Sequence, residues 1–182
     1  MLDGILKGLS AIEKIASTIA AVFMFAIMMI VFGDVIMRYV FNKPFSWAYD
    51  LISMYLMAGV FFLVLSEAYT SRAHVSVDIL QQKFSPPMIR LSEIVTCIIG
   101  ITVFSLIAWL GLLRTIDSFQ SSDVMAGAIP WPMWPSIGMV PFGAGLITVR
   151  LAAHLIGHVL SLLTGRAVIA LPPLHAAGET FE

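Results

Sequence analysis

Few residues in this sequence have types and spacings that could do chemistry, and all lie near the ends of long apolar runs. Asp34 and Arg38 stand four apart with the acid first, the order and spacing that favour an ion pair along one helix face. Asp50 and Glu67 bracket another apolar run, and a carboxylate buried among helices would serve as a proton or cation site. These two sit at opposite ends of one helix, too far apart to cooperate, and no acidic residue falls at the middle of any run. A coupling-ion site made by this chain alone is therefore not expected. His154 and His158, also four apart, offer a metal pair without a third ligand. Haem ligation would want histidines facing each other from different helices, for which His74 with His154 is the pairing to weigh. The plainer reading is interfacial imidazoles bonded to water or headgroups. Cys97 is the single cysteine, which excludes a disulfide framework and a CxxC site and leaves a small packing residue. The expectation is a protein that is not an enzyme and that holds no cofactor and no metal.

The elements that carry these residues follow from composition. Of 182 residues, 59% are hydrophobic and 12% charged, and the mean hydropathy is +0.96. Soluble domains are nearer half apolar and a quarter charged, so a water-soluble enzyme is disfavoured. A net charge of -1 argues against nucleic acid as a partner. Uncharged runs cover Ile15 to Gly33 (19 residues), Leu51 to Ser66 (16), Ile94 to Leu113 (20) and Val124 to Val149 (26). Crossing a hydrocarbon core of about 30 Å takes roughly 20 apolar helical residues. The second run reaches that length if Tyr49, Asp50 and Glu67 lie at headgroup depth. The runs lack the alternation of barrel strands. The first is too long for a signal-peptide core, and no clear A-x-A site follows it. The chain thus reads as an all-α integral membrane protein with four transmembrane helices, over about 15–37, 48–69, 92–113 and 131–151. Residues 1–165 form one transmembrane domain, and 166–182 a poorly ordered cytoplasmic tail.

Lys7, Lys14, Arg72, Lys83, Arg90, Arg150 and Arg166 fall on one side of that frame, and Arg38, Lys43 and Arg114 on the other. Seven against three places both termini in the cytoplasm, with the loop holding Arg38 and Lys43 in dissent. Leu2, Ile5, Leu6, Leu9 and Ile12 recur at helical spacing and predict either an amphipathic helix on the membrane surface or an extension of the first span. Val77, Leu80 and Phe84, ahead of Pro86-Pro87, predict a short interfacial helix and then a third span beginning near Met88. Trp131 and Trp134, among Pro130, Pro132 and Pro135, are expected to anchor the outer interface. Pro141 should kink the fourth helix, and Arg150 should snorkel to the inner headgroups. Beyond it, Leu151 to Leu163 continues into the cytoplasm or along the membrane face.

Small residues nominate helix contacts, either within the chain or with a partner. These are Gly100, Ala108 and Gly111 in the third span, and Gly138, Gly143 and Gly145 near Pro141 in the fourth. There is no internal repeat and no Gly-interrupted hairpin of the kind that holds substrate at mid-membrane. Asn42-Lys43-Pro44-Phe45-Ser46-Trp47 is a tight connection in which Ser46 is expected to cap the second helix and Trp47 to anchor it. From the residues alone, the chain reads as a membrane accessory subunit with a structured outer loop.

That loop carries a family resemblance. Arg38-Tyr39-Val40-Phe41-Asn42-Lys43-Pro44 with Ser46-Trp47 resembles the signature after the first helix of the DctQ-like small membrane subunits of tripartite ATP-independent periplasmic (TRAP) transporters. His74-Val75-Ser76-Val77-Asp78, Pro130-Trp131-Pro132-Met133-Trp134, and Pro141-Phe142-Gly143 with Arg150 resemble its later motifs, over about residues 15–150. Many members carry a Glu pair after the loop Trp, where this chain has Tyr49-Asp50. The resemblance implies a three-part uptake system of the bacterial inner membrane. In it a periplasmic binding protein captures an organic acid such as a C4-dicarboxylate or a sialic acid, and a large permease subunit carries substrate and cation. The small subunit is then a scaffold that helps dock the binding protein. On that basis Arg38, Asn42, Lys43, Trp47 and Asp50 are expected to form the outer docking face, with Asp34–Arg38 as a structural ion pair. Gly100, Ala108, Gly111, Pro141 and Gly143 are the helix-contact candidates. The competing expectation is a haem- or quinone-linked anchor of a respiratory enzyme.

Overall fold

A computed structural model describes residues 2–71, 86–127 and 129–164. It holds four helices long and apolar enough to cross a membrane. They are α1 (Leu2–Val40), α2 (Ala48–Thr70), α3 (Pro86–Gln120) and α4 (Trp134–Thr164).

The first helix is one piece. Its 39 residues rise about 58 Å, nearly twice a hydrocarbon core. The segment before the first span is thus an extension of α1 and not a separate surface helix. Its inward stripe runs Leu9, Glu13, Ala16, Ala20, Phe23, Ile27, Ile30, Asp34, alternating steps of four and three. The helix ends where Asn42 turns left-handed (φ 53°), a conformation Asn tolerates well. The N–H groups of Phe41 and Lys43 then fold back onto the Met37 carbonyl, and Pro44 forbids continuation.

The second helix departs from the regular expectation. Leu51–Leu56 is a π-helix set between α-helical Ala48–Asp50 and Met57–Thr70. Trp47 occupies the N-cap position and no side chain caps the helix, so Ser46 does not play that part. The helix α3 begins at Pro86, where a missing N–H costs nothing. The last helix starts at Trp134, three residues after the start of the expected span at about 131, and runs on through Pro141.

Across the bundle the order is α1, α2, α4, α3, with α1 and α3 on opposite flanks. One core cluster joins Leu9, Ala16 and Ala20 of α1 to Leu63 of α2 and Leu146 of α4. A second joins Leu65 of α2, Cys97 of α3, and Ile147 and Leu151 of α4. Glycines set the closest approaches. A β-carbon on Gly143 would overlap the Phe62 carbonyl, and one on Gly59 would overlap the Phe23 ring. A β-carbon on Gly100 would lie 2.9 Å from Leu151, and one on Gly111 3.2 Å from Pro141. Ala108 is half-buried on the same side of α3, where Phe104, Gly111 and Thr115 are also partly covered. The outer faces of α1 and α3 stay apolar and exposed, including Phe25, Met28, Phe32, Trp109 and Leu110.

The interfacial helix expected around Val77 to Phe84, His74, and the tail from residue 165 lie outside the described residues.

Candidate functional site

By topology the connections α1–α2 and α3–α4 share one end of the bundle. The Asp34 carboxylate organises the first of them. One oxygen takes the Arg38 guanidinium at 2.8 Å, and the other accepts the Phe45 N–H at 2.7 Å, bolting the loop to the side of α1. A β-carbon on Gly33 would stand 3.4 Å from the Phe45 ring, so the loop crosses α1 closely there. Phe45 in turn stacks on Trp47, with centroids 5.3 Å apart. That leaves Arg38, Asn42 and Lys43 exposed around an ordered loop. Trp47 is half-buried within the loop.

The second connection folds back on the first. Val124 and Pro132 form an antiparallel bridge, supported by bonds from Met125 N–H to the Trp131 carbonyl and from Met133 N–H to the Asp123 carbonyl, both 2.9 Å. Ser122, at φ 53°, makes the turn that leaves α3. This loop rests on α2. Asp50 lies against Gly127, the Tyr55 hydroxyl donates to the Pro132 carbonyl, and the Ser136 hydroxyl donates to the Met54 carbonyl. The π-helix suits the last contact, because its wider turn leaves the Met54 carbonyl displaced from the regular α-helical pattern and available to a side chain. Trp131 is half-buried and packs edge-on to Tyr55 (6.1 Å), so it serves the loop's interior, whereas Trp134 is exposed beside Phe119. Arg114, an outward residue of α3, pairs with Asp117 at 2.6 Å and Asp123 at 3.6 Å.

The opposite end holds a cluster that reading the sequence missed. Arg150 is 3% exposed and does not snorkel. Its Nη2 meets Glu13 Oε2 at 2.9 Å and donates to Ser10 Oγ at 3.1 Å, while its Nε donates to Thr70 Oγ1 at 2.9 Å. Glu13, 2% exposed, also accepts from the Ser66 hydroxyl at 2.6 Å. One ion pair and three hydroxyls thus tie α1, α2 and α4 together. The signal lay in the stripe of α1, where Glu13 falls in register with Ala16 and Ala20. Glu13 lies beside Lys14, outside the uncharged runs that define the spans, so span length alone does not mark it.

His154 and His158 lie with ring centroids 6.4 Å apart, and His154 stands edge-on to Tyr69 (5.4 Å). The Tyr69 hydroxyl approaches the Cys97 sulfur at 3.8 Å. Among the described residues no three His, Cys, Asp or Glu side chains gather closely enough to hold a metal.

These features sit in a chain with four membrane-length helices, an ordered loop end and no discontinuous hairpin among the described residues. No curated protein and no solved structure matches it. Residues 27–161 match the family described as "Tripartite ATP-independent periplasmic transporters, DctQ component". That stretch covers the first loop, the bridged second loop and all of α2 and α3. The family is a transporter component and not an enzyme, which sets aside the respiratory-anchor reading. The chain belongs to the DctQ family, and is a multi-pass membrane protein of the kind that serves as the small permease subunit of a TRAP transporter.

Proposed function

We propose that this chain is a rigid scaffold that pairs with a large multi-helix permease subunit and helps to dock a periplasmic substrate-binding protein. The transport is cation-coupled uptake of an organic acid, such as a C4-dicarboxylate or a sialic acid, across the bacterial inner membrane. Both termini lie in the cytoplasm in this reading, and the loop end faces the periplasm. The observation that carries it is the construction of the loop end. Asp34 fixes one connection, while Tyr55, Ser136 and Asp50 fix the other on α2, and Arg38, Asn42 and Lys43 are left displayed. Such a surface costs little entropy to dock, because its backbone is already ordered. Exposed apolar faces on the flanking helices supply area for lipid or for a second membrane subunit.

The test is co-purification from native membranes, followed by uptake in a strain lacking the chromosomal copy. A large multi-helix subunit should come down with this chain. Arg38→Ala and Lys43→Glu should lower uptake without changing which solute is preferred. Solute accumulation in vesicles holding this chain alone, or a changed preference in those variants, would refute the scaffold reading.

A further inference from the structure

The inward stripe of α1 carries two acids, the buried Glu13 and the half-buried Asp34, on one face and 21 residues apart, about 31 Å along an unbroken helix. Each acid is a fastening point. Asp34 holds the loop end through the Phe45 N–H, and Glu13 holds α4 through Arg150 and α2 through Ser66. Between them one packing seat bears on the height of α1, the Phe23 ring over Gly59 of α2, and the rest of the contact surface is poor in such features. Ala16 and Ala20 are small, and in lipid there is no hydrophobic penalty against sliding one apolar helix along another. A slide of one turn, about 5.4 Å, moves Phe23 off Gly59, exchanges the remaining apolar contacts of the stripe for similar ones, and separates Glu13 from Arg150. That would leave a guanidinium without its acid in a place that water does not reach, a costly state.

We propose that Glu13–Arg150 is a register lock, which sets the axial position of α1 against α2 and α4 and thereby the height of the Asp34-anchored loop surface at the other end of the bundle. The remaining partners fit this role. Ser10 and Thr70 donate to carbonyls of their own helices, at 2.9 Å and 3.0 Å, and so present lone pairs to Arg150. Ser66 supplies a hydrogen to Glu13. All three are hydroxyls, which donate or accept, so the network tolerates exchange of the two charges. The lock concerns the geometry of this chain alone and holds whether or not the loop end docks a binding protein.

The experiment places spin labels at Tyr39 and Phe119, exposed positions on α1 and α3 at the loop end, in the full chain with Cys97→Ala, reconstituted in lipid nanodiscs. The unaltered lock should give a narrow interspin distance distribution. Glu13→Ala with Arg150→Met leaves no lone buried charge, and should still fold but give a distribution shifted or broadened by about one helical turn. The exchange Glu13→Arg with Arg150→Glu should return it to the original width. An unchanged distribution in the uncharged pair overturns the proposal. Should that pair not accumulate in membranes, the charge exchange decides. A narrow, native distance supports the lock, and a broadened one or loss of the protein overturns it.

Discussion

A few residues carry consequences far larger than their size. Gly143 is the clearest, since any β-carbon there meets the backbone carbonyl of Phe62, which has no rotamer to yield. We expect Gly143→Ala to lower stability by about 1–3 kcal/mol, the usual cost of forcing extra volume into a packed contact. Two residues along, a β-carbon on Gly145 meets nothing within 4 Å. Gly145→Ala should be neutral or gain about 0.5–1 kcal/mol from helix propensity. Thermal unfolding of the two variants in one detergent checks both, and equal melting temperatures would contradict the α2–α4 packing described. Asp34 acts through two oxygens, so Asp34→Ala removes the Arg38 pair and the Phe45 acceptor together. Limited proteolysis should then cut between residues 41 and 47 several-fold faster, whereas Arg38→Ala, which spares the Phe45 bond, should change the rate little.

At the level of elements, the π-helix of α2 decides how the two loops meet. A single extra residue in Leu51–Leu56 turns the Ala48–Asp50 end relative to a regular helix and brings Asp50 under Gly127. Deleting Ser53 would let the segment relax to an α-helix and rotate everything before it by about 100°. The expected result is an α2 still inserted in the membrane, with Asp50 turned away and the 121–133 loop newly open to protease. Protection like that of the parent chain would show that the π turn has no part in joining the loops. Ser136→Ala is the milder test. Loss of its bond to the Met54 carbonyl should cost about 1 kcal/mol in thermal stability and leave the fold intact.

For the whole molecule, the order α1, α2, α4, α3 leaves two flank helices with apolar outer faces, as suits a part placed between lipid and another membrane protein. Orientation is the property to measure first. Alkaline phosphatase joined after Gly127 should be active, and the same enzyme joined after Thr164 inactive, since it folds only outside the cytoplasm. The reverse pattern would invert the positive-inside assignment, against which Arg38 and Lys43 already stand.

Much of this frame was legible in one dimension. Uncharged runs of membrane length announce four helices because the hydrocarbon core admits no unsatisfied backbone, and Asn42 with Pro44 announces the first turn through backbone sterics. Asp34 and Arg38 could be paired on paper because their interaction is local to one helix. What crosses between helices could not. Glu13 and Arg150 stand 137 positions apart, each just beyond an uncharged run, and only packing faces them together in the dry interior. The π turn escaped notice for the same reason. Leu51–Leu56 has no residue that demands a wider turn, and Ser136 and the Pro132 carbonyl meet it only once α4 and the second loop are in place. Local chemistry and bilayer thickness are written into composition and spacing. Which polar groups become partners at a distance depends on which helix faces touch, and only the assembled bundle sets that.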